Sequence, residues 1–375
     1  MALDFDSTSK LGFGFMRLPL TDEHDQTSID IEQVKQMVDT FIAGGGTYFD
    51  TAFVYHEGTS EVALRRALVE RYPRDSFTIA TKCLAWAAPD AATAQSNLAT
   101  SLERLGTDYV DYYLLHNVGG ARTKVFDDYG MWDFALEQKA AGKIRHVGFS
   151  MHDGADTLEQ ILTAHPEMEF VQLQVNYLDW EDPVTESRRC MEVAAAHNVP
   201  VIIMEPARGG RLIANLPDEA QQIFRALDPQ ASLASWAYRF CISRPNVLTV
   251  LSGMSTLAQV QQNMADLAAY RPLTEEEFAA TQQVAQILRA QNAVNCTNCR
   301  YCMKGCPQHV QIPIIMGLLN LEKQLGDHTF VKNNYSWQAR EGYASECIQC
   351  GECEEMCPQK IDIIHQLEVA VELYE

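Results

Sequence analysis

The sequence predicts an α/β protein in two parts, a (β/α)8 TIM barrel followed by a small, mostly α-helical, cysteine-rich module. Two observations carry this expectation. Short apolar runs alternate with amphipathic stretches eight times between Leu11 and Tyr270, and eight such units are the number that closes a barrel. Near the C-terminus, CTNCRYCMKGCP and CIQCGECEEMCP repeat one cysteine comb. With 375 residues, the chain also exceeds the roughly 250–300 at which a single core stops growing. The expected division is 1–272 for the barrel, 273–295 for a linking helix and 296–375 for the module.

In order, the first strand is GFGFM, 12–16. The helix IEQVKQMVDTFI follows, with Ile31, Val34, Val38, Phe41 and Ile42 on one stripe behind an Asp30–Gln33 capping box. The remaining strands are expected at 48–52, 77–82, 109–116, 144–150, 170–177, 199–206 and 247–254. Their helices are expected at 60–72, 91–105, 127–141, 155–165, 184–197, 231–242 and 256–270. YVDYYLLH is almost continuously apolar, as a strand buried on both faces should be. The rival, a doubly wound sheet, needs a dinucleotide fingerprint. GFGFMR offers only G-x-G, with Arg17 where the third glycine belongs. Gly44, Gly45 and Gly46 follow a helix and read as its stop. The helix LTEEEFAATQQVAQIL, capped by Thr274 with Glu277, is expected to join the two parts.

Charge narrows the partners. A formal net charge of -21 and a pI near 4.8 repel phosphate backbones and anionic lipid, so neither nucleic acid nor a membrane is expected. MALDFDSTSK has neither a cationic start nor the apolar run of a signal peptide. No stretch approaches the roughly 20 apolar residues of a membrane span. The expectation is a cytoplasmic protein, where thiols stay reduced and cysteine combs mean metal.

Barrel chemistry sits at the C-terminal ends of strands. Asp50 with Tyr55 just beyond, Lys82, His116, Ser150, Gln172 with Asn176, and Glu205 fall at those ends. Around DTAFVY, Asp50 to Tyr55, the chain resembles the aldo-keto reductase family over about 10–270. The resemblance implies a catalytic set of Asp50, Tyr55, Lys82 and His116. Hydride transfer to a carbonyl leaves charge on oxygen, which needs a proton donor and a positive field already facing it. Tyr55 would be the acid, Lys82 the cation that lowers its pKa, Asp50 the counter-charge of Lys82, and His116 the group orienting the carbonyl oxygen. The same resemblance implies NAD(H) or NADP(H), its carboxamide held by Ser150 and Gln172. Met151 replaces the usual Asn, and Met204 stands where an aromatic residue often stacks. Anchored on Asn263, the stretch SGMSTLAQVQQN puts Gly253, Ser255 and Gln259 where basic residues would grip a 2′-phosphate. NADH is therefore expected to bind at least as tightly as NADPH, unless Arg208 or Arg211 reaches across.

Eight of the eleven cysteines lie in the combs: Cys296, Cys299, Cys302 and Cys306, then Cys347, Cys350, Cys353 and Cys357. Cys83, Cys190 and Cys241 read as small buried residues. Thiolates at this spacing could hold two zinc ions or two iron–sulfur clusters. A run of three followed by a fourth before proline is the pattern of bacterial ferredoxins, and favours two 4Fe-4S clusters. That resemblance implies swapped ligation, with Cys357 completing the first comb's cluster and Cys306 the second's. Forty residues separate Cys306 from Cys347, including the helical pattern IPIIMGLLNLEKQL, so the module is closer to helical ferredoxin modules than to a minimal ferredoxin. His309 and His365 read as surface residues.

The combined expectation is an iron–sulfur oxidoreductase of the aldo-keto reductase type, reducing a small-molecule carbonyl while two clusters carry single electrons. The rival is an electron-transfer protein whose barrel docks a partner or flavin. Nicotinamide moves two electrons together and a cubane one, so a flavin or a redox partner protein is expected between them unless the clusters are structural.

Overall fold

The computed structural model describes residues 8–214, 216–291, 293, 294, 296, 298–357 and 359–375. The signal-peptide expectation rests on 1–10, of which 1–7 lie outside these residues, as does Pro358, the second comb's proline. Eight parallel strands close a barrel in chain order: β1 (Leu11–Gly14), β2 (Tyr48–Asp50), β3 (Thr78–Cys83), β4 (Val110–Val118), β5 (Ile144–Met151), β6 (Phe170–Gln174), β7 (Val201–Met204) and β8 (Val247–Gly253). β8 returns to β1 through the pairs Leu11–Val250 to Gly14–Gly253. Gly12 is required at this seam, because a Cβ there would lie 2.8 Å from Leu251 and 2.9 Å from Tyr48.

Strand side chains alternate, so two residues advance one layer on the same face. The barrel interior is filled by Tyr48, Ala80, Tyr112, Leu114, Phe170, Ile202, Leu248 and Leu251. One layer further along the same inward faces come Asp50 after Tyr48, Lys82 after Ala80, His116 after Leu114, Gln172 after Phe170 and Met204 after Ile202. The inner residues make a solid plug, each large side chain contributing ~1.5–3 kcal/mol by burial. The outward residues, such as Ile79, Tyr113, Leu115, Phe149 and Val171, pack under the helices.

Several element ends differ from expectation for local reasons. β6 stops at Gln174 because the Asn176 side chain accepts from the amides of Leu178 and Asp179, turning the chain. β7 stops at Met204 because Glu205 is left-handed (φ 56°) and Pro206 follows. The helix expected at 127–141 is two, Ala121–Asp128 and Met131–Ala140, broken where Gly130 has φ 60°. The helix expected at 60–72 begins as Ser60–Leu64 and continues in π-helical turns, Arg65–Val69. After β7 the helices Arg211–Ala214 and Asp218–Leu227 precede the expected one at Leu233–Ile242. Asp30 caps its helix through the Gln33 amide, while the Gln33 side chain turns to the Asp30 carboxylate rather than to its backbone.

Thr274 and Glu277 form the expected capping box on Glu275–Arg289. The helix is also tied to the barrel: the buried Glu277 carboxylate accepts from Arg239 and Arg271, each at 2.6 Å. Burial would raise the Glu277 pKa, but the two guanidiniums and the Thr274 amide hold it down at about 2. Beyond it, the module consists of the helices Tyr301–Gly305, Ile312–Leu325, His328–Gln338, Glu352–Glu355 and Ile363–Tyr374. Cys83, Cys190 and Cys241 are buried, and His309 and His365 are exposed. No helix among the described residues is long and apolar enough to cross a membrane.

Candidate active site and cluster sites

The four residues at the ends of β2, β3 and β4 converge. The Lys82 ammonium donates to Asp50 Oδ1 at 2.5 Å and to the Thr51 carbonyl at 2.7 Å. It also lies 4.7 Å from the centre of the Tyr55 ring. The His116 ring stands edge-on to Tyr55 at 6.1 Å. Asp50 and Lys82 are buried, so their attraction is little screened by water. Tyr55 is fixed by a backbone that runs left-handed through His56 and Glu57 (φ 50° and 53°). Sequence reasoning passed over His56, whose ring anchors that turn. Its Nε2 accepts from the Leu18 amide at 3.2 Å and its Nδ1 donates to the Gln26 carbonyl at 2.9 Å. This pins the Tyr55 loop to the segment after β1. The signal was a histidine directly after the tyrosine, with too little context to assign it.

The electrostatics correct one expectation. Lys82 does pull the Tyr55 pKa down, but burial outweighs it and leaves the phenol above its ordinary value. A buried phenolate loses more hydration than one ammonium returns. The phenol therefore stays protonated through the neutral range, which is the form an acid catalyst needs. Burial would lower Lys82, but Asp50 and Tyr55 reverse that and hold it charged. Burial, then the charge of Lys82, keeps His116 well below its ordinary value, so the ring is neutral. Its Nδ1 has no partner among the described residues. The strand end is held by the Trp86 indole, which donates to the His116 carbonyl at 3.0 Å, and by Ser150 Oγ, which accepts from the Asn117 amide at 2.8 Å.

The residues assigned to nicotinamide lie on β5 to β8. Ser150 and Gln172 are adjacent in register and buried, and Gln172 Oε1 has no partner among the described residues. A buried amide oxygen without a donor is costly, and a primary carboxamide supplies one, so these residues fit the group. Met204 packs on the rim of the barrel plug. Asn263 turns inward: its amide donates to Ser252 Oγ at 3.1 Å and Tyr238 Oη at 3.3 Å, leaving only its carbonyl oxygen uncommitted by these bonds. Gln259 Oε1 accepts from the Ser255 amide, and Ser255 Oγ donates to the Arg17 carbonyl. The stretch after β8 is thus less empty of charge than the sequence implied. Arg17 runs beside Gly253, where a Cβ would come within 3.3 Å of its side chain, and its guanidinium reaches Glu205 at 3.7 Å. Arg208 and Arg211 do not serve this stretch, being paired with Asp179 and Asp327.

The combs share one backbone pattern. Asn298 and Arg300 flank Cys299 with φ 54° and 60°, and Gln349 and Gly351 flank Cys350 with φ 56° and 84°. Three residues past the last cysteine of each comb, His309 and Lys360 are also left-handed. The helices Ile312–Leu325 and Ile363–Tyr374 then begin at equivalent positions. The left-handed residues on either side of the middle cysteine coil each comb, so the module is a conformational duplicate as well as a sequence duplicate. Cys306 of the first comb lines one pocket with Cys347, Cys350 and Cys353 of the second, walled by Val310, Ile312, Ile364 and Leu367. The Cys302 thiol is pushed up to about 12 by burial and then by Cys296, Cys299, Cys353 and Cys357. Cys353 rises to about 11 through burial, Glu354, Cys347, Cys306 and Cys350. Among the described residues, no three His, Cys, Asp or Glu side chains close on a single ion. Four thiols from the two combs lining one apolar-walled pocket fit a thiolate-held cluster rather than a single ion.

The module lies across the barrel mouth, a placement absent from the sequence reading. At the start of the helix His328–Gln338, Phe330 lies 6.0 Å from the Arg17 guanidinium and 5.4 Å from that of Arg211, and Asp327 pairs with Arg211. At its end, Trp337 stands edge-on to His152 at 5.5 Å, and Arg340 lies over Trp86 at 4.6 Å. The helix therefore crosses from the loops after β1 and β7 to those after β3 and β5. Near the first comb, the Asn298 side chain donates to the Pro183 carbonyl and Arg300 approaches Asp153 at 3.9 Å.

Comparison with known proteins agrees with this architecture. A model of the aldo/keto reductase family matches residues 10–286, and a 4Fe-4S dicluster domain matches 295–361. An aldo-keto reductase of Mycolicibacterium smegmatis is 32% identical over 184 residues, 48% of this chain; the match spans 60% of that relative's length. Among solved structures, the holo form of an aldo-keto reductase from Bacillus halodurans is similar with 25% identity and a TM-score of 0.59, covering 74% of this chain and 92% of that one. An aldo-keto reductase from Klebsiella pneumoniae in complex with NADPH has 24% identity and a TM-score of 0.58, covering 74% and 91%.

Proposed function

The chain belongs to the aldo/keto reductase family and carries a 4Fe-4S dicluster domain, and from that premise we propose that it reduces a small-molecule carbonyl with a nicotinamide cofactor while two 4Fe-4S clusters move single electrons. The observation that carries this is the buried Lys82–Asp50 pair beside Tyr55, with His116 edge-on to the same ring. Bound nicotinamide would supply hydride. Ser150 and Gln172 would hold its carboxamide, and Met204 would pack against its ring. Tyr55 gives its proton to the carbonyl oxygen, and Lys82, kept charged by Asp50, stabilises the negative charge left on Tyr55. Neutral His116 orients the carbonyl oxygen. The remaining assignments are of the same kind: barrel work for 1–272, cluster work for 296–375, a reducing cytoplasmic setting, and a flavin or redox protein between hydride and single-electron steps.

The test is anaerobic preparation followed by metal analysis and a carbonyl panel with NADH and NADPH. Expected are a brown protein with roughly eight irons and eight sulfides per chain, and oxidation of the cofactor that depends on added carbonyl. Stoichiometric zinc without iron would overturn the cluster assignment. Cofactor oxidation that reduces the clusters but never a carbonyl would overturn the reductase assignment.

NADH is expected to bind at least as tightly as NADPH. Arg17 is the cation beside Gly253, and Glu205 already faces it at 3.7 Å, so the gain from a 2′-phosphate is small. Calorimetry with both cofactors checks this. A preference for NADPH of about tenfold, ~1.4 kcal/mol, persisting at high salt, would refute it.

A further inference from the structure

Two arginines meet the chain beside His116, one from each part of the protein. Arg122 donates through Nε to the Asn117 carbonyl at 2.8 Å. Arg340, just past the helix that crosses the mouth, stacks on Trp86, whose indole donates to the His116 carbonyl. The two guanidiniums are thus tied, directly or through one ring, to consecutive carbonyls at the end of β4. Among the described residues, neither lies within 4.0 Å of a carboxylate. The other arginines at the mouth are matched: Arg17 with Glu205, Arg208 with Asp179, Arg211 with Asp327 and Arg300 with Asp153. Burial lowers the pKa of Arg122; Glu341 and Asp153 oppose that from a distance, while Arg340 adds to it. Arg340 is exposed and Arg122 half-buried, so both guanidiniums beside the substrate-orienting histidine are open to an anion entering from the mouth. A planar guanidinium pair matches a carboxylate, with two charge-assisted hydrogen bonds available from each.

We propose that the substrate is a small oxo acid, its carbonyl at Tyr55 and His116 and its carboxylate between Arg122 and Arg340, so that the cluster module supplies part of the substrate site. This rests on the carbonyl-reducing reading above. It gives Trp86 a positioning role, since its indole fixes both the His116 carbonyl and the Arg340 guanidinium. It also makes the site incomplete in a barrel lacking the module.

The test uses the full chain with clusters loaded and NADH saturating. Calorimetric titration compares oxamate, which carries a carboxylate beside an amide carbonyl, with oxamide, its neutral counterpart. Oxamate should bind at least about tenfold more tightly. In Arg340→Gln that preference should fall by about tenfold while oxamide affinity and cluster absorbance stay unchanged, and Arg340→Lys should recover only part of it. Arg225→Gln, on the exposed helix Asp218–Leu227, is the control for overall charge and should change nothing. The proposal is overturned if oxamate binds no better than oxamide, or if Arg225→Gln weakens oxamate as much as Arg340→Gln does. The two readings separate cleanly. An oxamate preference that depends on Arg340, with no carbonyl turned over, keeps the subsite and removes the reductase assignment. Turnover of neutral carbonyls without that preference removes the subsite alone.

Discussion

Tyr55→Phe should lower kcat for carbonyl reduction by ~10²–10⁴-fold, the usual share of a positioned proton donor, with little change in nicotinamide affinity. The substitution removes one hydroxyl and keeps the ring. The packing of Lys82 at 4.7 Å and His116 at 6.1 Å against that ring therefore survives. In the proposed reaction the hydroxyl acts only as charge develops on the carbonyl oxygen, so its loss should appear in kcat and kcat/KM together. Fluorescence titration should find the cofactor affinity within about threefold, roughly 0.7 kcal/mol, because Ser150 and Gln172 are untouched. The pH profile adds a signature. Burial holds the Tyr55 pKa above its ordinary value, so wild-type reduction should fall only at alkaline pH, as the phenol loses its proton. That limb should vanish in Tyr55→Phe. Lys82→Met would be a poorer probe, since it strands the buried Asp50 carboxylate and costs ~3–5 kcal/mol of stability. Wild-type turnover by Tyr55→Phe would place the chemistry elsewhere.

The second large effect tests whether the combs exchange their last cysteines. If Cys357 completes the cluster of Cys296, Cys299 and Cys302, then Cys299→Ser and Cys357→Ser damage the same centre. Each single variant should lose about four irons, and the double variant should lose no more than either. The pair Cys306→Ser with Cys347→Ser should behave likewise. The combination Cys299→Ser with Cys347→Ser should remove nearly all iron. If Cys299→Ser with Cys357→Ser empties the protein while each single variant keeps about four irons, ligation is not exchanged. If every single variant loses both clusters, the module folds only as a unit, and ligation is then read from which cluster's paramagnetic signal changes in partially loaded protein. The grouping of Cys306 with Cys347, Cys350 and Cys353 around one cavity supports the exchanged outcome.

That Asp50, Lys82 and His116 meet was legible because a strand advances its inward face by two residues. Tyr48 and Asp50, Ala80 and Lys82, Leu114 and His116 are each an inward pair on one strand. Barrel closure then brings the second members together without further instruction. The combs were legible for a similar reason: the spacing and the left-handed turns beside Cys299 and Cys350 are local. Strand ends were missed where one side chain ended a run, as Asn176 does after β6. The helices inserted after β7 were missed because the expected pattern allowed one helix per strand.

By itself the sequence determined the eightfold repeat, the ionisable residues at the strand ends and the duplicated cysteine comb, because each is written in spacings of two to seven residues that backbone geometry converts directly into faces and turns. Only the tertiary structure decided how remote segments meet. Burial outweighs Lys82 at Tyr55 because residues from several strand ends close around the half-buried phenol. Arg17 enters the stretch after β8 because β1 and β8 are neighbours across the barrel seam. The helix His328–Gln338 crosses the mouth because Phe330, Trp337 and the following Arg340 find partners on Arg17, Arg211, His152 and Trp86. Those contacts join residues more than a hundred positions apart, and no local periodicity encodes them. They depend on the shapes and charges of two finished surfaces, which exist only after each part has folded.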